Sequence, residues 1–258
     1  MIIAFAYCSF AQKNIRFSSG NIAIEYDKNA NEKIQWKPAG KNSIILFDSE
    51  IQPGIIVDGM ICLKFKTDKS KSSTKSITDH EFGPSIETFI TGVFEDGDLK
   101  IERQTRILLP EKFKDAIILN TAYRNIGSKK VHIDSVISQR ILLKSQIAKP
   151  VAQPADFASF QGGINEWGRD YELIWLTPGF QQSNFQGIHR TRGPKGAEPE
   201  EFIGGGMPFV DVWNKEMGVA IMHLAKTPQW LSLPVNVRPD GATEVSIVEK
   251  PDEKLGVQ

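Results

Sequence analysis

The residues best suited to chemistry lie between positions 157 and 185. There Phe157, Phe160, Trp167, Tyr171, Trp175, Phe180 and Phe185 are interleaved with Gln161, Asn165, Gln181, Gln182 and Asn184. Flat apolar rings beside amide groups suit a sugar, whose C–H face stacks while its hydroxyls need donors and acceptors. About half of these rings are expected to be core, Tyr171 and Trp175 among the candidates, and Trp167, between polar neighbours, is the ring expected at the surface. Glu166 and Asp170 lie four apart beside Trp167 and Arg169. An acid/base pair needs two carboxylates about 5 Å or about 6.5–9.5 Å apart across the scissile bond. One loop rarely fixes that geometry, so a solvated loop or an ion pair with Arg169 is the expectation there.

The other reactive types give little. His80, His132, His189 and His223 lack any spacing that would bring two nitrogens to one metal, so no metal site and no cofactor is expected. His223 shares a strand face with Val219 and Ile221 and reads as a half-buried histidine. Gly204-Gly205-Gly206 lacks the setting of a phosphate loop and reads as a turn, and no Gly-x-Ser-x-Gly elbow occurs. Cys62, alternating with Lys64, reads as a small core hydrophobe.

The elements that must position these residues alternate with period two. In Trp230 to Val237, Leu231, Leu233, Val235 and Val237 fall on one face, the mark of a half-buried strand. Similar runs begin at Asn21, Ser43, Ile61, Ile86, Leu99, Ala116, Val131, Tyr171, Met207, Gly218 and Thr243. Turn chemistry separates them at Asp96-Gly97, at Asn125 to Lys130 and at Pro239-Asp240-Gly241. Convincing helical periodicity is scarce. About a dozen strands with short polar turns predict an all-β fold, a large antiparallel β-sandwich. The stretches 66–84, 149–157 and 188–205 read as long loops on that scaffold, the usual carriers of binding surfaces.

The chain has 258 residues, with 31 Lys+Arg balancing 31 Asp+Glu. Zero formal charge and no long basic run argue against nucleic acid as a partner, and the Lys-rich run from Lys64 to Lys75 reads as a solvated loop. No apolar run approaches the ~20 residues of a membrane-spanning helix. Met1 to Ala11, an apolar run ending in Ser9-Phe10-Ala11 before polar chain, reads as the remnant of a secretory signal peptide, which implies a secreted or periplasmic protein. Removal of that segment leaves Cys62 alone, with no intrachain disulfide.

Three long strings carry a resemblance. They are FASFQGGINEWGRDYELIWLTPGFQQSNFQG from Phe157, GGGMPFVDVWNKEMGVAIMHLAKTPQWLSLPV from Gly204, and TRILLPEKFKDAIILNTAYRNIGSKKVHID from Thr105, with its aromatic-x-Asn-x-Gly turn. Together they resemble the N-terminal β-supersandwich of bacterial α-galactosidases of glycoside hydrolase family 36, a fold related to galactose mutarotase. The resemblance implies a non-catalytic domain, residues 12–250, that packs on a (β/α)8 barrel. The barrel, in the same or a partner chain, supplies both catalytic aspartates, and residues 251–258 begin the connection to it. It further implies an α-galactoside or related oligosaccharide as ligand, met by a loop like Phe160-Gln161-Gly162-Gly163 with Trp167, and Trp175 is added to that carbohydrate-contact set on its residue type. No residue here matches the catalytic pair. Mutarotase-like catalysis needs a His and a Glu on one face, and the His-x-Tyr-Phe string expected after the NIGSKK turn is replaced by VISQRIL. A free-standing carbohydrate-binding or structural sandwich is the alternative. A sandwich without its barrel is expected to leave an apolar patch around 157–185 and Trp230, and hence to self-associate.

Overall fold

The computed structural model describes residues 14–37, 39–40, 44–47, 51–143, 157–160, 174–186, 209–215, 217–224 and 231–250. Among them every element is a strand except one 3-10 turn, Lys69–Lys71, and the strands form four antiparallel sheets. The first is a meander of β1 (Ile15–Ser19), β2 (Ile22–Tyr26), β3 (Glu32–Trp36) and β4 (Ile44–Phe47). A hairpin of β5 (Gly54–Val57) and β6 (Met60–Cys62) follows, its turn made by Asp58 and Gly59.

The second sheet is built on the longest hairpin, β9 (Gly83–Asp96) with β10 (Leu99–Pro110). The pair runs in register from Leu99 opposite Asp96 to Pro110 opposite Ser85, and Gly97 at φ +55° makes the two-residue turn. β11 (Ile118–Asn125) pairs with β10, while β7 (Lys66–Thr67) and β8 (Ser73–Asp79) share the free edge of β9. Its faces follow the period of two. Ile86, Ile90, Ile107 and Leu109 turn inward. On the outer face Arg106 bridges Glu87 and Asp79, Lys75 joins Glu87, and Lys71 and Arg124 both reach Glu102.

In the third sheet β12 (Ile133–Leu143) lies between β5 and β21 (Thr243–Glu249). Beyond β21 come β20 (Val235–Val237) and β15 (Gln181–Gln182), with β19 (Leu231–Ser232) and β16 (Phe185–Gln186) off the main path. The fourth sheet has the order β14 (Ile174–Leu176), β13 (Phe157–Ser159), β17 (Phe209–Trp213), β18 (Gly218–Met222). All four sheets give side chains to one core that includes Ile24, Ile34, Ile107, Leu143, Phe157, Val210, Leu233 and Val245, and a smaller cluster forms around Phe65, Ile55, Cys62 and Ile101. The all-β sandwich predicted from the sequence is therefore the fold.

Several sequence expectations hold in detail. Cys62 is buried, as are Leu231, Leu233, Val235 and Val237. Others are corrected. The Trp230 to Val237 run is not one strand, because Pro234 cannot donate to a ladder and separates β19 from β20. The run from Ile61 breaks into β6 and β7 around Phe65. The stretch read as loop from Lys66 to Pro84 holds β7, the 3-10 turn and β8. β8 escapes a hydrophobic pattern because five of its seven residues are exposed and Ile77 is its one apolar side chain. Met1 to Ala11, Gln161, Glu166, Trp167, Asp170, Tyr171, His189, Gly204 to Gly206, Trp230 and 251–258 lie outside the described residues.

A polar cluster interrupts the core. Arg103 of β10 is buried, lies 4.6 Å over the Phe65 ring and donates to the Pro53 carbonyl at 2.8 Å. On β3, Glu32 accepts hydrogen bonds from the Tyr26 hydroxyl and from Gln139 of β12. Gln139 follows a β-bulge between Ile137 and itself, a device that re-aims a side chain. Burial pushes the Glu32 carboxyl up, against the hydrogen bonds and the Arg103 charge, which draw it down. Three sheets thus share one charged cluster.

Candidate functional site

The fourth sheet carries the candidate site on its outer face. Its inner face is core: Ile174, Leu176, Phe157, Val210, Val212, Val219 and Ile221 all pack inward. Register then decides which residues lie together outside. Ala158 pairs with Trp175 on one side and with Trp213 on the other, and Trp213 pairs with Gly218. The row across the sheet is Trp175, Ala158, Trp213, Gly218. Next along the strands come Phe160, Asp211 and Ala220, and then Phe209 opposite Met222.

The described residues of this face are strongly apolar. Trp175 is 59% exposed, Trp213 37%, Met222 49% and Leu224, just past β18, 63%. Ala158 is buried at its centre. A Cβ on Gly218 would come within 3.0 Å of the Trp213 Cβ, so glycine there gives the indole its room. The two tryptophans stand two strand spacings apart, about 10 Å at ~4.8 Å each. Phe160 and Phe209 meet with ring centroids 5.9 Å apart. One carboxylate lies among them: Asp211 Oδ1 accepts the Phe160 amide at 2.5 Å, and its backbone carbonyl accepts from Ser159 Oγ at 2.6 Å.

Of the carbohydrate-contact set read from the sequence, Phe160 and Trp175 are on this face and Gln161 and Trp167 lie outside the described residues. Trp175 is settled as surface, not core. Phe157 and Phe180 are core or packed against it. Sequence reasoning missed Trp213, Met222, Leu224 and Asp211. A signal was available, since Phe209, Val210, Val212 and Trp213 make β17 apolar on both faces, the pattern of a strand covered on both sides.

No catalytic carboxylate pair stands out among the described residues. Burial works to raise Glu87, but hydrogen bonds from Arg106 and Lys75 outweigh it and hold it low. The Lys71 hydrogen bond foremost, with Arg124, lowers Glu102, and the Arg106 hydrogen bond lowers Asp79. These acids are committed to cations on an outer sheet face. Glu32, raised by burial, is held by Tyr26 and Gln139 between the sheets. His223 behaves as the sequence indicated, half-buried and 3.6 Å from Glu249, and among the described residues no group of three or more metal-ligating side chains gathers. No described helix is long and apolar enough to cross a membrane.

The fold is a large antiparallel sandwich of the kind found in family 36 glycoside hydrolases. Three solved structures carry that likeness. The α-galactosidase from Lactobacillus brevis aligns with a TM-score of 0.52 at 10% identity, over 91% of this chain and 36% of that one. A variant of the family 36 α-galactosidase AgaA from Geobacillus stearothermophilus, in complex with 1-deoxygalactonojirimycin, aligns with a TM-score of 0.52 at 11% identity, over 93% of this chain and 39% of that one. A second AgaA variant, in complex with raffinose, gives 0.52, 12%, 93% and 39%. No protein-family model and no curated protein matches the sequence. At this identity the likeness is one of fold. The chain spans well under half the length of the enzymes it resembles.

Proposed function

We propose that this chain is the non-catalytic β-sandwich of an α-galactosidase-type glycoside hydrolase, supporting the active site of a (β/α)8 barrel in the same or a partner chain. The observation that carries the reading is the alignment itself, which takes in 91–93% of this chain but 36–39% of each enzyme. The exposed apolar side chains of Trp175, Met222 and Leu224 fit a domain that works against other material. Phe160 and Trp175, with Gln161 and Trp167, are the residues we assign to contact with an α-galactoside.

The test is hydrolysis of an aryl α-galactoside. The chain alone is expected to give no turnover, because no catalytic carboxylate pair stands out among the described residues and Asp211 stands alone on the site face. Addition of a family barrel is expected to give an active assembly. Turnover by the chain alone that Glu166→Gln or Asp170→Asn abolishes would overturn the reading. The free-standing sugar-binding sandwich is favoured by the paired tryptophans, and it gains if the chain stays monomeric, binds no hydrophobic dye and gains nothing from a barrel. We also take Met1 to Ala11 as a secretory leader and the protein as secreted or periplasmic. Exported protein is then expected to begin at Gln12, and N-terminal sequencing that finds Ala4 or Phe5 retained refutes this.

A further inference from the structure

We infer that β8 is the contact strand of a symmetric dimer, pairing antiparallel with β8 of a second copy of this chain about a two-fold axis through Ser76. The second sheets of the two copies then run on as one. The inference goes beyond the domain reading and concerns a different sheet from the candidate site.

The backbone supplies the first reason. Among the described residues β8 pairs with β9 alone, from Ser73 opposite Phe89 to Asp79 opposite Gly83. In an antiparallel ladder alternate residues turn both backbone groups to the same neighbour. Two observations fix which residues of β8 turn away from β9. Thr91 of β9 faces this side, its carbonyl accepting the Asp68 amide at 2.8 Å and its amide donating to Ser72 Oγ at 3.1 Å. Phe89, Glu87 and Ser85 therefore face it too, and they hold Ser73, Lys75 and Ile77. Pro84, which has no N–H, stands opposite Thr78. The amides and carbonyls of Thr74, Ser76 and Thr78 are thus left at the open edge. A two-fold through Ser76 satisfies all of them, Ser76 pairing with the partner's Ser76 and Thr74 with the partner's Thr78.

Side chains favour the same register. Lys75 falls opposite the partner's Ile77 and diagonal to the partner's Asp79, within reach of a long side chain. The outer-face series Asp79, Arg106, Glu87, Lys75 then continues into the partner's with charges alternating throughout. Pairing about Lys75 would instead set two ammonium groups face to face. There is room for a second copy, because Ser73 and Lys75 on the outer face and Thr74, Ser76 and Thr78 on the inner face are all exposed. β8 therefore stands clear of the core. Its edge is also unguarded: it has no proline, it runs against β9 without a bulge, and its lysine is drawn back onto Glu87 at 3.1 Å. Two strands of seven residues bury less than a standard interface, so the dimer is weak.

The experiment is sedimentation of the full chain from micromolar to millimolar concentration, with disulfide trapping to read the register. The parent is expected to pass from monomer to dimer. Ser76→Pro removes the bonds exchanged across the axis but leaves β8 on β9, because the lost N–H points outward. It is expected to weaken the dimer about tenfold or more. Circular dichroism checks the fold, and if Ser76→Pro does not fold, Thr74→Pro, whose N–H also points outward, takes its place. In a Cys8→Ser background, where the buried Cys62 is the remaining thiol, Ser76→Cys is expected to give a covalent dimer on mild oxidation. Residues paired across the axis have Cα atoms about 5.5 Å apart, within disulfide reach. Ile77→Cys is expected to stay uncrosslinked. A chain that is monomeric throughout, a dimer that Ser76→Pro retains, a crosslink through Ile77→Cys in place of Ser76→Cys, or self-association that Trp175→Ala abolishes overturns the proposal. Failure here leaves the domain reading intact, because that reading is decided by hydrolysis with a barrel.

Discussion

Replacing Arg103 by Met is expected to destabilise the sandwich by about 3–5 kcal/mol, the cost of leaving a buried charge cluster without its cation. Arg103 is 2% exposed and lies among the Phe65 ring, the Pro53 carbonyl and the Glu32 carboxylate group, so no water replaces it. The loss should depend on pH. Burial raises Glu32 in the folded state, so its contribution is complete below the ordinary carboxylate range and declines as pH rises through the raised value. Arg103 opposes that rise. Without it Glu32 moves higher still, and the variant should lose more stability at pH 8 than at pH 4. Urea unfolding at the two pH values measures this. An Arg103→Met variant within 1 kcal/mol of the parent, or one hurt more at pH 4, would contradict the assignment of Arg103 as the cation of this cluster.

Gly20→Val is expected to cost about 3 kcal/mol or more, roughly 6–12 °C in Tm for a chain of this size. Gly20 turns β1 into β2 at φ +57°, where an L side chain costs about 1–2 kcal/mol on conformation alone. Its missing Cβ also matters, because a Cβ would stand 2.6 Å from the Lys114 carbonyl oxygen and 2.7 Å from the Lys114 Cα. Both are backbone and cannot swing away. The same junction is tied by the Asn21 amide to Lys114 O at 3.0 Å, and by Asn21 Nδ2 and Trp36 Nε1 to Asp115 at 2.7 and 2.8 Å. The substitution therefore pries the first sheet from the segment leading into β11. A thermal melt unchanged within 2 °C would show that the turn yields more easily than this contact implies.

The parts of the fold legible in the sequence are those in which one strand face is apolar and the other polar. β2, β9, β10, β20 and β21 announce themselves that way, and Asp96-Gly97 marks the turn of the longest hairpin. β8 was hidden because its stability comes from pairing with β9 and from ion pairs such as Lys75 with Glu87, which leave no hydrophobic period. β1 was hidden because IRFSS is short and sits in polar chain. At the site, the residue types in 157–185 were legible, and Trp175 lies exposed on the outer face of the fourth sheet. Trp213 was not, because its position beside Trp175 depends on a register set by residues more than fifty positions apart, through the single pairing of Ala158 with Trp213. The buried cluster was equally silent. Arg103 and Glu32 look like ordinary surface charges in alternating strands until two sheets close over them.

The measurement that tests the central claim most directly is α-galactoside hydrolysis by a protein that joins this chain to a family 36 barrel, compared with each part alone. The account predicts turnover by the joined protein, none by this chain alone, and a large loss when this chain is removed from the barrel. Undiminished turnover by the barrel without this chain, or turnover by this chain alone, would contradict it.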